Sequence, residues 1–227
     1  MTSTRPSAGV RAAAVAWLLQ PLYLLIELVA AAVNTAPYSL WHNTISDLGA
    51  TTCTRIDYQS AQVPVCSPAH LVVNGSFVLF GAAMAVAAVL LRPHLPRGRL
   101  VTAAVVCWVI AGASSVGSGL TPLDRALELH ALVSAPGIVL SGVAMVLTGW
   151  ALARAWSSRW WALVAAGVLS TAAGLLMLVR LEVQWGGLVE RIALWPSYFA
   201  CAAVALALLH RAGTVPALRW SRWTTAR

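Results

Sequence analysis

Lysine is absent from this chain of 227 residues, and all fifteen basic side chains are arginine. The bias reads as base composition first and function second. Charge of any kind is scarce, at 10% of residues against 59% hydrophobic, and mean hydropathy is +0.78. Soluble domains carry about 25% charged residues, so that class is excluded. No Cys-x-x-Cys pair occurs, which removes zinc-finger and thioredoxin-like readings. Neither His-x-x-x-His nor His-Glu-x-x-His occurs, so no compact metal motif is present. No repeat relates the two halves, which weighs against a transporter built from inverted repeats.

Long apolar runs are what the chain has instead, and a bilayer selects them. They cover 11–33, 70–91, 100–120, 122–153, 160–179 and 189–209. The expected fold is all-α: an integral membrane bundle of six transmembrane helices within 11–210. A disordered leader (1–10), a polar connection (34–69) and a basic tail (211–227) complete the chain. The first run exceeds the ~7–15-residue core of a signal peptide and contains Gln20 and Glu27, so it reads as an uncleaved helix. In the fourth run the membrane part begins near His130. Thr121-Pro122-Leu123-Asp124 ahead of it reads as a capped helix start.

Six spans put both ends on one side. Eleven of the fifteen arginines then share the side of the termini, and only Arg55, Arg125, Arg180 and Arg191 take the other. This asymmetry makes both termini cytoplasmic and the 34–69 connection external. Asp47, Asp57, Asp124, Glu128, Glu182 and Glu190 are external, and Glu27 lies in the outer half of its span. The net charge of +8 is therefore topological. Nucleic acid drops out as a partner, and the lipid bilayer takes its place. Trp150, Trp156, Trp160 and Trp161 suit the inner interface; Trp41, Trp185 and Trp195 suit the outer one.

Cys53 and Cys66 share the external connection, where an oxidising environment favours a disulfide worth about 3 kcal/mol. Cys107 and Cys201 fall mid-helix as small apolar residues. Gly137 with Ser141, and Gly167 with Ser170, Thr171 and Gly174, let helices approach closely. Asn74-Gly75-Ser76 matches a glycosylation triplet by chance, because it lies inside the second run.

The chemistry-bearing residues gather at the outer ends of the spans. Gln20, Tyr23, Glu27 and Asn34 share a helical face, which points into the bundle or a water-filled cavity. Glu27 is either a proton carrier or ligand, or a structural partner of Arg180 or a histidine. His70 stands one turn from Asn74, and His130 forms a stripe with Ser134, Gly137 and Ser141. His42, His70 and His130 at one depth, with a carboxylate, would suit Zn²⁺ with an open water position. A histidine at a helix end serves equally as a capped interfacial residue. Haem between His70 and His130 is a further option, although His94 and His210 complete no second pair. Ser46-Asp47 beside a histidine suggests a nucleophile, and the same atoms suit a local backbone cap. Glu190-Arg191 reads as an ion pair that orients the cluster. One outer cavity is expected to collect Glu27, His42, Asp47, His70, His130 and the Glu190-Arg191 pair. His130 faces in and Glu128 faces the rim, with Asp124 reaching in only if its helix start bends.

Asn43-Thr44-Ile45-Ser46-Asp47-Leu48-Gly49 resembles the signature of a family of small bacterial membrane proteins. Pro122-Leu123-Asp124 with His130, and Glu190-Arg191, carry the same resemblance over about residues 12–209. The family is catalogued as a domain of unknown function, number nine-nine-eight. Members with an aromatic residue before the proline differ from this chain, which has Thr121. The resemblance implies the six-helix fold and a bacterial plasma membrane, and it implies no reaction. A looser similarity links the chain to intramembrane hydrolases of the ceramidase and adiponectin-receptor type. Those combine serine, aspartate and three histidines around zinc, and the residue types recur as Ser46, Asp47 or Asp124, His42, His70 and His130.

Three functions follow. One is an enzyme acting on a lipid or isoprenoid substrate, either metal-assisted or with Asp124 or Glu27 as acid or base. The second is a proton-coupled carrier using Glu27. The third is a non-catalytic envelope factor whose outer connection binds a partner.

Overall fold

The computed structural model describes residues 7–58, 61–179 and 185–213. Arg180, Glu182, most of the leader and all but the start of the basic tail lie outside the described residues. Six helical segments are long and apolar enough to cross a membrane, as expected. The first consists of α1 (Ala8–Leu18) and α2 (Leu22–Ala32), because the break falls at Pro21, which has no N–H to donate. The others are α3 (His70–Leu91), α4 (Arg99–Leu120), α5 (Leu127–Ala155), α6 (Trp161–Val179) and α7 (Gly186–Arg211). Pro136 and Pro196 sit within α5 and α7 without ending them.

Sequence neighbours from α3 to α7 pack against one another. The α1 segment packs against α3 and α7 and closes the ring, while α6 lies outside it against α5 and α7. Glycines set the closest crossings. A methyl on Gly81 would stand 2.6 Å from the Gly112 carbonyl, so α3 and α4 touch backbone to backbone. Gly142 and Gly167 do the same for α5 and α6. Buried indoles add directional ties: Trp17 donates to the Met84 carbonyl at 3.0 Å and Trp108 to Thr148 Oγ1 at 3.1 Å.

Two elements depart from the sequence reading. The 121–126 stretch is a turn, and α5 starts only at Leu127. Thr121 Oγ1 donates back to the Gly117 carbonyl of α4, so it does not cap α5. The 34–69 connection is also more than a loop. It contains a 3₁₀ turn (Ser46–Gly49) and an antiparallel pair, β1 (Thr54–Tyr58) and β2 (Ala61–Val65). The expected Cys53–Cys66 disulfide flanks that pair. Cys107 and Cys201 are free thiols.

Candidate functional site

The residues expected around one cavity separate into four groups. Glu27, on α2, is 0% exposed and both its oxygens are engaged. Arg191 Nε donates to Oε1 and Trp195 Nε1 to Oε2, each at 2.9 Å. Arg191 also donates to the Leu40 and Asn43 carbonyls and to the Tyr38 hydroxyl. The partner of Glu27 is therefore Arg191, and the pair ties α2, α7 and residues 38–43 together. Glu190 and Arg191 do not pair; Glu190 turns the other way and accepts the Ile45 N–H at 2.6 Å.

Asp47 forms a second group. Its Oδ1 accepts from the Tyr58 hydroxyl at 2.6 Å, and its Oδ2 accepts from Thr44 N and Asn43 Nδ2. Burial raises the Asp47 carboxyl above its usual range, although these bonds pull the other way. Burial, then the Asp47 charge, raises Tyr58 as well. The local cap foreseen for 44–47 is thus real, with Tyr58 added from β1. The strand alternation of Thr-Arg-Ile-Asp-Tyr is the signal from which that hydroxyl was legible.

Asp124 serves the turn at Thr51–Thr52 in the 34–69 connection. It accepts four hydrogen bonds, from the backbone and hydroxyl of Thr51 and Thr52, at 2.9–3.0 Å. Burial opposes its charge, yet these donors outweigh it and hold the carboxyl below the usual range. A lowered folded-state pKa stabilises above the ordinary value of about 4 and is lost as pH falls through the folded value. Asp124→Asn should therefore cost on the order of 2 kcal/mol at neutral pH, with the gap to wild type closing on acidification. Thermal unfolding across pH in detergent measures it, and a pH-independent gap would count against this role.

The histidines do not converge. His70 Nδ1 bonds the Ser67 carbonyl just ahead of its own helix at 2.8 Å, while His42 lies against Trp185. Among the described residues, no three His, Cys, Asp or Glu side chains form a group that could hold a metal ion. The residues present do not fit the three-histidine zinc site or the His70–His130 haem, because each ring is committed to a different neighbour. Glu128 is exposed and His130 buried, as expected.

His130 forms the fourth group, with Ser46. Its Nδ1 bonds the Thr121 carbonyl at 2.7 Å, and its Nε2 bonds Ser46 Oγ at 2.9 Å. A carbonyl only accepts, so Nδ1 carries a proton, and in the neutral ring Nε2 presents a lone pair. Ser46 must then be the donor. The pair meets across 84 residues of sequence because the 121–126 turn delivers a carbonyl and the 3₁₀ turn a hydroxyl to opposite edges of one ring. Asn74 Nδ2 fixes the 3₁₀ turn from α3 by donating to the Gly49 carbonyl at 2.8 Å.

Ser46 and Glu190 line a cavity of about 50 Å³ among α3, α4, α5 and α7. Of the residues that carry the family resemblance, Ser46 and Glu190 line this cavity, and residues 12–210 match the family described as Protein of unknown function (DUF998). The chain belongs to DUF998. No curated protein and no solved structure matches it. Among these motif residues, Asp47 and Asp124 brace the 34–69 connection, Arg191 ties it to the bundle, and Ser46 and His130 form a hydroxyl–imidazole pair.

Proposed function

We propose that this DUF998 chain is a membrane-embedded serine hydrolase or acyltransferase acting on a lipid ester, with Ser46 as nucleophile and His130 as base. The supporting observation is the directed chain from Ser46 Oγ to His130 to the Thr121 carbonyl. It has the form of an activated nucleophile: hydroxyl, base, and a third group that fixes the base's tautomer. Ser46 Oγ attacks the ester carbonyl and His130 Nε2 takes its proton. As the carbon–oxygen bond to the alcohol breaks, His130 returns that proton to the leaving oxygen. Water, or an acceptor alcohol, then releases the acyl group from Ser46 with His130 again as base. No metal takes part in these steps.

An alkyl fluorophosphonate tests it, because such reagents phosphonylate activated serines. Mass spectrometry of the labelled, folded protein should find the adduct on Ser46, and labelling should vanish in Ser46→Ala. Folded protein that stays unlabelled would sink the proposal.

The arginine asymmetry further supports termini in the cytoplasm and the 34–69 connection outside, which opens the dyad toward the exterior of a bacterial plasma membrane. Single cysteines at positions 57 and 97, on a background free of the native cysteines, decide the matter. An impermeant maleimide on intact cells should reach 57 and spare 97, and the opposite pattern would invert the topology.

A further inference from the structure

One buried carboxyl has no part in the steps above. Glu190 is 3% exposed, and it lines the same cavity as Ser46. Among the described residues its carboxyl makes a single hydrogen bond, from the Ile45 N–H to Oε2, on the residue just before the nucleophile. Arg191, its sequence neighbour, spends its guanidinium on Glu27, Tyr38 and nearby carbonyls. A carboxylate accepts at about four lone-pair sites, so Glu190 keeps most of its capacity beside Ser46.

The rest of the wall also calls for donors. Ser115 and Ser197 spend their hydroxyl hydrogens on the Phe77 and Leu194 carbonyls, which leaves their oxygens as acceptors. Ser141 lines the same cavity, is 2% exposed, and its Oγ has no hydrogen-bond partner among the described residues. A buried, unpaired hydroxyl is costly, so a wall of this kind suits a small molecule rich in hydrogens to donate. Volume decides which one. At about 50 Å³ the cavity exceeds the ~10–15 Å³ that admits one water, yet it holds no more than a few. A sugar or glycerol headgroup carries carbon that neither this volume nor this wall accommodates.

We propose that this cavity is the acceptor-water site of the reaction, with Glu190 as the residue that holds the attacking water. The inference rests on the Ser46–His130 reading and narrows it: the acyl group goes to water, so the chain is a hydrolase. The water donates one hydrogen to Glu190 and the other to His130 Nε2. As its oxygen bonds the acyl carbon, His130 takes that second hydrogen as a proton. His130 passes the proton to Ser46 Oγ when the ester bond to Ser46 breaks. The products are the free acid and the restored serine.

Two rates separate this inference from the dyad. One is phosphonylation of Ser46 by a short fluorophosphonate, and the other is release of a butyryl group delivered as its p-nitrophenyl ester. Glu190→Gln keeps a carbonyl oxygen for the Ile45 N–H but replaces an acceptor with an amide donor. It should slow release about tenfold more than phosphonylation, the order expected for one hydrogen bond to the reacting water. Intact mass should then show butyryl retained on the variant while wild type returns to the free serine. Excess glycerol should leave butyrate as the wild-type product. Equal slowing of both rates would reduce Glu190 to a brace of the 3₁₀ turn and overturn the inference. A butyryl group as long-lived on wild type as on the variant, or glycerol butyrate as the main product, would overturn it too. In each of these cases phosphonylated wild type leaves the dyad standing. Folded wild type that stays unlabelled would overturn both.

Discussion

Arg191→Met should destabilise the protein by about 3–5 kcal/mol, the penalty for leaving one partner of a buried ion pair uncompensated. Glu27 is 0% exposed and Arg191 4% exposed, so neither charge can turn to solvent when the other is lost. Marginal stabilities of about 5–15 kcal/mol make a loss of that size visible as lower yield and an early thermal transition in detergent. The two partners are not equivalent. Glu27→Gln removes a charge but retains an acceptor for Arg191 or Trp195, and should be the milder change. Arg191→Met also orphans the Leu40 and Asn43 carbonyls, so residues 38–43 lose their anchor to α7. Adding Glu27→Gln to Arg191→Met should therefore restore stability only in part: the stranded carboxylate is gone, the orphaned carbonyls remain. An Arg191→Met protein as stable as wild type would refute a structural role for the pair.

That pair marks where the sequence was readable and where it was not. Span number and the inward stripe of Gln20, Tyr23, Glu27 and Asn34 followed from hydropathy and helical period; the first three are buried, whereas Asn34 lies past the end of α2 and is half-buried. The identity of the partner did not follow. Arg191 lies 164 residues from Glu27, and a helical period says which face points inward without saying which helix it meets. The convergence of histidines failed for a related reason. Depth was legible from distance to the span ends, but azimuth was not, and each ring had a nearer carbonyl or indole to satisfy. Asp124 was misplaced because Pro122 suits a turn as well as a first helical position, and the turn prevailed. The Ser46–His130 contact had a visible half, the inward stripe of His130, Ser134, Gly137 and Ser141. Its other half needed the 3₁₀ turn, whose position depends on Asn74 and Glu190 from two separate helices.

His130→Gln should slow phosphonylation of Ser46 by about 10²–10⁴-fold, the usual contribution of a positioned general base. Glutamine spans a similar distance and can still hydrogen-bond Ser46 or the Thr121 carbonyl, so packing should survive while proton transfer does not. Thermal stability near that of wild type would separate lost chemistry from lost fold. Ser46→Ala should cut turnover of any ester that wild type hydrolyses to a small residual rate. The double variant should then be no slower than Ser46→Ala alone, because residues acting as one catalytic unit are not additive. Independent contributions would instead multiply, and that outcome would reduce the Ser46–His130 bond to a structural tie. Asp47 provides the comparison within the same turn. Asp47→Asn keeps one acceptor oxygen, enough for Tyr58 or for Thr44, and touches neither reacting group, so its labelling rate should stay within a few fold of wild type. If Asp47→Asn proved as slow as His130→Gln, the rate would track the integrity of the 3₁₀ turn rather than the base, and His130 would lose its assigned role.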